Sequence, residues 1–259
     1  MPVVPGAEAF TSEGGRVGVL LVHGFTGSPA SLRPWGEYLA ANGLTVSCPR
    51  LPGHGTRWQD LNLTRWQDWY AEIDRAFGEL RRRVDEVFVM GLSMGGTLTL
   101  RLAEQRADEI TGLVLVNPSI LTENRAFRLI PLLKHVLPSI KGISNDIKKP
   151  GVDEVAYKHT PLRAAASLGE LWKVTLPDLG KVTMPVLFYR SSEDHIVEAA
   201  NAHEIQSRLG TSDVREVVLH DSYHVATLDN DAPAIFSGST DFVRGLLAAV
   251  PPRDAAGRS

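Results

Sequence analysis

Cysteine is almost missing from this sequence of 259 residues, where Cys48 stands alone. An intramolecular disulfide is therefore excluded, and with it the small secreted scaffolds stapled by such bridges. Cys48 closes the strand-like run Thr45-Val46-Ser47-Cys48 and reads as a buried apolar residue rather than a reactive thiol. An excess of charge is missing too: 27 Lys and Arg face 30 Asp and Glu, a formal net charge of -3. Nothing in that balance draws nucleic acid or an anionic membrane surface, and a neutral or amphiphilic small molecule fits better as partner. No run approaches the roughly 20 apolar residues that a membrane span needs. The opening MPVVPGAEAF has no basic stretch leading into an apolar one, so a cytoplasmic protein is the expectation. Internal repeats, low-complexity tracts and metal-ligand clusters are also absent from the sequence.

What is present is a hydrophobic fraction of 43%, enough for one sizeable core. Short apolar runs recur at 17–22, 44–48, 87–92, 113–117, 186–190 and 214–219, separated by longer stretches of helical spacing. This alternation predicts an α/β fold with a mostly parallel sheet covered on both faces. Trp66, Trp69, Ile73, Phe77, Leu80 and Val84 keep a three-or-four spacing that predicts one apolar helix face packed on the core.

Between Pro118 and Pro185 the alternation stops. No strand is evident there, but apolar residues fall at helical spacing in AFRLIPLLKHVLPSI and around AAASLGELWKV. Such a length is too great for a plain connection. The reading is a helical cap at 118–184, inserted between two parts of one core domain at 1–117 and 185–250; the alternative is a set of ordinary sheet-covering helices.

The stretch Gly91-Leu92-Ser93-Met94-Gly95 lies where a strand pattern gives way to a helix pattern, and it has the G-x-S-x-G form of a nucleophile elbow. A sharp strand-to-helix turn raises the serine off the sheet in a strained conformation, and crowding there requires small neighbours two residues to either side, which Gly91 and Gly95 supply. The N-terminus of the helix starting at Met94 favours negative charge developing nearby. Ser93 is thereby a candidate nucleophile.

A nucleophile of this kind needs an oxyanion site, an acid and a base. The loop in LLVHGFTGSP resembles the His-Gly loops that follow an early strand in such hydrolases, so the backbone N–H groups of Phe25 and Met94 are the candidate oxyanion donors. His23 reads as structural. The candidate acid follows the strand 186–190, where Asp194 is preferred to Glu193 as one step deeper in the loop. The base must come later. His195 adjoins the acid and would point away from it, His203 falls within a helical pattern, and His220 ends a strand; His224, in the loop HDSYHVATLD, is preferred to His220.

With these residues in place, the chain resembles the bacterial monoacylglycerol lipase and carboxylesterase family of α/β-hydrolases. The resemblance runs through GVLLVHGFTGSP, PRLPGHGT, GLSMGGTLTL, SSEDHIV and SYHVATLD, in that order. It implies a Ser93, Asp194, His224 triad, oxyanion donors at Phe25 and Met94, a helical cap over an acyl pocket, and neither metal nor organic cofactor. Within the cap it implies that Glu154, in GVDEVAYKHTP, reads glycerol hydroxyls and that Ile143, in KGISNDI, lies against the substrate. The segment 120–140 departs from the family pattern. The expected activity is hydrolysis of carboxylic esters, monoacylglycerols foremost and general short-to-medium acyl esters as the alternative, with interfacial contact to lipid but no membrane insertion.

Overall fold

Valine, isoleucine and leucine runs bounded by loops become the strands of one sheet in the computed structural model, which describes residues 2–142 and 145–249. In chain order the elements are β1 (Phe10–Ser12), β2 (Val17–Val22), α1 (Arg33–Ala41), β3 (Thr45–Cys48), α2 (Trp58–Leu61), α3 (Trp66–Arg81), β4 (Glu86–Leu92), α4 (Met94–Gln105) and β5 (Gly112–Val116). They continue with α5 (Ile130–Leu133), β6 (Ser139–Lys141), β7 (His159–Pro161), α6 (Leu162–Thr175), β8 (Val186–Ser191), α7 (Ala200–Gln206), β9 (Val214–Leu219) and α8 (Ala232–Ala249).

Seven strands form the main sheet in the order β1-β3-β2-β4-β5-β8-β9. Only β1 runs antiparallel to its neighbour; the other pairs are parallel. Strands buried on both faces explain the near-continuous apolar runs. Alternate residues divide between two layers. Leu20, Val89, Leu115 and Phe188 pack with Trp69, Ile73, Phe77 and Leu80 of α3, whereas Leu21, Met90, Val114 and Tyr189 pack with Trp35 of α1 and Phe242 of α8. Each fully buried side chain of this size contributes about 1.5–3 kcal/mol by leaving water.

The chain moves from β2 to β3 on one side and then to β4 on the other, so strand order reverses between β2 and β4. Open α/β sheets bind ligands at the carboxyl ends of strands beside such a switch point. The loop carrying Phe25 leaves β2 there, and Ser93 leaves β4.

Two strand expectations are corrected. Strand β1 carried no sequence signal, being only three residues with one half-buried position on either side of an exposed Thr11, and it owes its conformation to pairing with β3. Within 118–184 a strand pair does exist: β6 and β7 run antiparallel, with Ile140 opposite Thr160. The rest of that segment holds the short α5, two 3-10 turns and α6. Leu162, Ala165 and Ala166 of α6 pack with Ile130 of α5, while Ala164, Leu168 and Leu171 join the core layer of α3 and α4.

Candidate active site

Ser93 sits between β4 and α4 with φ 57° and ψ -122°, a left-handed conformation that costs a non-glycine residue about 1–3 kcal/mol. Its surroundings hold it there. The Ser93 N–H donates to the Val116 carbonyl at 3.0 Å, and its own carbonyl accepts from the Gly96 N–H at 2.9 Å. The glycines are dictated by backbone. A Cβ on Gly95 would stand 2.0 Å from the Val22 carbonyl oxygen, and one on Gly91 would stand 2.4 Å from that of Gly95.

Asp194 lies in the loop after β8 with its side chain only 7% exposed. One oxygen, Oδ1, accepts the N–H groups of Ile196 and Val197, both at 2.8 Å. The other, Oδ2, lies 2.8 Å from His224 Nδ1. Because an ionised carboxylate only accepts, Nδ1 carries the proton, and Nε2 of the neutral ring is left as an acceptor. Burial favours the protonated form of Asp194, but the His224 charge, the hydrogen bond to His224 and the two backbone donors outweigh it and lower its pKa. Burial likewise acts against a charged His224, yet the Asp194 charge and hydrogen bond, with Glu154 and Asp146 adding, raise its pKa above 6.5.

The backbone of His224 is held as firmly as its ring. Its carbonyl accepts from Asn117 Nδ2 at 2.8 Å, and its N–H donates to Asp146 Oδ2 at 3.2 Å. Asn117 follows β5 with φ 44°, and its Oδ1 accepts the Ser191 N–H at 2.8 Å, joining the ends of β5 and β8 to the histidine loop.

Ser93 and His224 open onto one cavity of about 430 Å³, which also meets Gly24, Phe25, Glu154 and His195. Its apolar wall includes Leu121, Phe127, Leu168 and Trp172, with the Phe127 and Trp172 ring centroids 5.1 Å apart. Phe25 and the Ser93 elbow meet at Gly24, where a Cβ would stand 3.3 Å from that of Ser93. The Met94 side chain is wholly buried in the core, so this residue can offer the site only its backbone. Glu154 reaches the cavity from the segment between β6 and β7; burial raises its pKa, against the hydrogen bond from Ser31 and the charge of His224. Ile143 lies outside the described residues.

Of the other histidines, His195 lines the cavity, and its Nδ1 lies 2.8 Å from Asp146 Oδ1. His203 falls in α7, and His220 follows β9 on the exposed side. His23 is fully buried beneath the oxyanion-loop candidate, its Nε2 accepting the Leu51 N–H at 3.1 Å. Cys48 is also fully buried, and burial pushes its thiol pKa up to about 12.

Sequence reasoning missed Asn117, Asp146 and Ser31. Asn117 looked like the last residue of an apolar strand, and Asp146 lay in a segment without periodicity. No metal-binding cluster of His, Cys, Asp and Glu occurs among the described residues.

The family model described as serine aminopeptidase, S33, matches residues 15–231. A thermostable monoacylglycerol lipase of Bacillus sp. (strain H-257) is 43% identical over 246 residues, covering 93% of this chain and 96% of that one. A carboxylesterase of Bacillus subtilis (strain 168) is 25% identical over 240 residues, covering 92% and 97%. Among solved structures, one from the metagenome-derived lipolytic enzymes LipS and LipT superposes with a TM-score of 0.92 at 39% identity, covering 94% of this chain and 100% of that one. With an elbow serine between β4 and α4, an Asp–His pair on the following loops and these relatives, the chain belongs to the serine aminopeptidase S33 family of α/β-hydrolases, together with bacterial monoacylglycerol lipases.

Proposed function

We propose that this protein is a serine hydrolase of carboxylic esters that splits monoacylglycerols into glycerol and fatty acid. The observation that carries the reading is the Asp194–His224 hydrogen bond of 2.8 Å, beside the cavity onto which the Ser93 elbow opens. Ser93 Oγ attacks the ester carbonyl while His224 Nε2 takes its proton, and Asp194 holds the imidazole in the required tautomer. The N–H groups of Phe25 and Met94 receive the negative charge of the tetrahedral intermediate; removing one such donor commonly costs about 100–1000-fold in rate. Collapse expels the alcohol, which takes the proton from His224. Water then attacks the acyl-enzyme with His224 as base, releasing the fatty acid and free Ser93.

The segment 118–184 is read as a cap between core parts 1–117 and 185–250. Phe127, Leu168 and Trp172 from this segment supply apolar cavity wall suited to an acyl chain, and Glu154 supplies a hydrogen-bonding carboxylate suited to glycerol hydroxyls. The thermostable relative supports the monoacylglycerol as substrate. The family description names an aminopeptidase, but the apolar wall favours an acyl chain over a charged peptide terminus. A cytoplasmic setting belongs to the same reading, supported by the single, buried, unpaired cysteine. No helix among the described residues is long and apolar enough to cross a membrane.

The test is release of fatty acid from mono-, di- and triacylglycerols of one medium chain length, beside the matched ethyl ester, with Ser93→Ala as blank. Preference for the monoacylglycerol is the expected result. Equal or faster cleavage of the ethyl ester makes the protein a general carboxylesterase, and turnover by the Ser93→Ala protein removes the serine mechanism.

A further inference from the structure

We propose that Asp146 is a positioning residue for this hydrolysis, holding the loop that carries His224 and the loop that carries Asp194 in one frame. The proposal rests on the triad assigned above. Asp146 Oδ2 accepts two backbone N–H groups at 3.2 Å, those of His224 and of His195. Its Oδ1 bonds His195 Nδ1 at 2.8 Å, and its carbonyl accepts the Val225 N–H at 3.1 Å. One side chain, only 10% exposed, thus touches the residue after the acid and the base itself.

Asp146 belongs to neither loop. It comes from the segment 145–149, which lines the cavity with Asn145 and Asp146 and is fixed by other contacts. Ile147 packs against the core layer that contains Val225. The N–H groups of Lys148 and Lys149 donate to Asp229 Oδ2 and Oδ1 at 2.7 and 2.8 Å, and Asp229 Oδ2 also accepts the Tyr223 N–H at 2.9 Å. At the other end, Asn145 Oδ1 accepts the Glu154 N–H at 2.7 Å. Two hydrogen bonds, joined by the peptide bond between Asn145 and Asp146, therefore link the backbone of Glu154 to the backbone of His224. Since Asp229, Ile147 and Asn145 anchor the segment without the Asp146 carboxylate, replacing that carboxylate weakens its bonds to His195 and His224 without removing the segment, while the Asp194–His224 bond and Asn117 still join the loops.

Two consequences separate positioning from mere support. An imidazole displaced by an ångström loses its in-line reach to the serine, an effect that can cost on the order of 100-fold in rate while leaving substrate binding intact. The Asp146 charge also faces His224. The other charged groups acting on His224 are Asp194 and Glu154, and all three favour its protonated form. On its other side Asp146 meets His195, while Lys148 is engaged by Asp221 at 3.2 Å and by Glu193 at 4.0 Å.

The experiment compares wild type, Asp146→Asn and Ser93→Ala on p-nitrophenyl butyrate from pH 5 to 9, with labelling of Ser93 by a fluorophosphonate. Asp146→Asn is expected to lose about 100-fold in kcat with little change in KM, to label more slowly in proportion, and to show its acid limb at lower pH than wild type. Wild-type kcat and an unmoved acid limb in Asp146→Asn, beside an inactive Ser93→Ala, overturn this proposal alone. Turnover by Ser93→Ala overturns the triad and this proposal with it. If Asp146→Asn does not fold, amide hydrogen exchange of the wild type decides. The His195 and His224 amides, held by one oxygen, are expected to exchange in a common opening event, and unrelated exchange of the two overturns the proposal.

Discussion

Ser31 donates its hydroxyl to Glu154 Oε1 at 2.7 Å, across 123 positions of sequence. Gly27 leaves the space for this carboxylate, since a Cβ there would stand 2.8 Å from the same oxygen. The neighbouring backbone is joined as well: the Tyr157 N–H donates to the Thr26 carbonyl at 3.1 Å, and Ser28 Oγ donates to the Val155 carbonyl at 3.1 Å. The segment after the oxyanion-loop candidate therefore carries and orients the residue proposed to read glycerol.

Replacing Glu154 by Ala removes a charged acceptor while leaving the Ser93 side untouched. A hydrogen bond to a charged group contributes about 1.5–3 kcal/mol, or about 10–100-fold. Turnover of a monoacylglycerol is expected to fall by that factor, and turnover of the ethyl ester of the same acid to change little. Paired kcat/KM values decide it, and an equal loss on both esters ends the glycerol-reading role.

Asp194→Asn keeps the shape of the acid loop but replaces one carboxylate oxygen by a donor, which the protonated Nδ1 cannot meet. The base then turns to the wrong tautomer, and kcat is expected to fall by about 10⁴. The sign of the pH effect follows from the charge. Asp194 is what chiefly offsets burial and holds the His224 pKa above 6.5, and the base must be neutral to act. Wild-type activity therefore rises as pH climbs through that raised pKa, and the residual activity of the variant rises at lower pH. A pH profile of kcat/KM measures both limbs; an acid limb that stays in place contradicts the account.

The elbow glycines allow a stability prediction with its own control. Alanine at Gly95 would drive a methyl into the Val22 carbonyl, where only backbone movement relieves the clash, and a loss of about 3 kcal/mol is expected. Gly78 in α3 has nothing nearer than Arg82 Nη1 at 4.0 Å, so Gly78→Ala is expected to add roughly 0.5–1 kcal/mol by lowering the entropy of the unfolded chain and favouring helix. Urea unfolding of the two variants measures the contrast.

Legibility in the sequence followed the range of the forces involved. The parallel strands announce themselves because Val114, Leu115 and their like are buried on both faces, and α3 because its core contacts repeat every three or four residues. The elbow is local as well: Gly91, Ser93 and Gly95 answer to a single turn. Strand β1, in contrast, is made by its partner β3, and the β6–β7 pair joins segments whose own patterns say little. Asp146 escaped notice for the same reason. Its partners lie 49 and 78 positions away, and no periodicity or motif marks a carboxylate whose role is set wholly by tertiary contacts.

His23 and His54 form a buried pair beneath Phe25, with ring centroids 5.0 Å apart. His54 Nε2 has no hydrogen-bond partner, and Phe25 and Trp69 enclose the ring. Burial lowers the His23 pKa to about 4, despite its bond to the Gly24 carbonyl, and holds that of His54 well below 6.5, with the His23 charge adding to the effect. Both rings are therefore neutral in the folded protein, whereas the unfolded chain takes up protons near pH 6.5. Stability is complete above that value, falls as pH drops from about 6.5 towards 4, and for His23 the loss is on the order of 3 kcal/mol. His54→Phe removes one titrating ring from apolar surroundings. The variant is expected to lose less stability than wild type between pH 7.5 and 5, as read from urea midpoints. An identical loss in the two proteins would show that the acid sensitivity arises elsewhere, and would place the neutral histidines outside the forces that hold the loop above them.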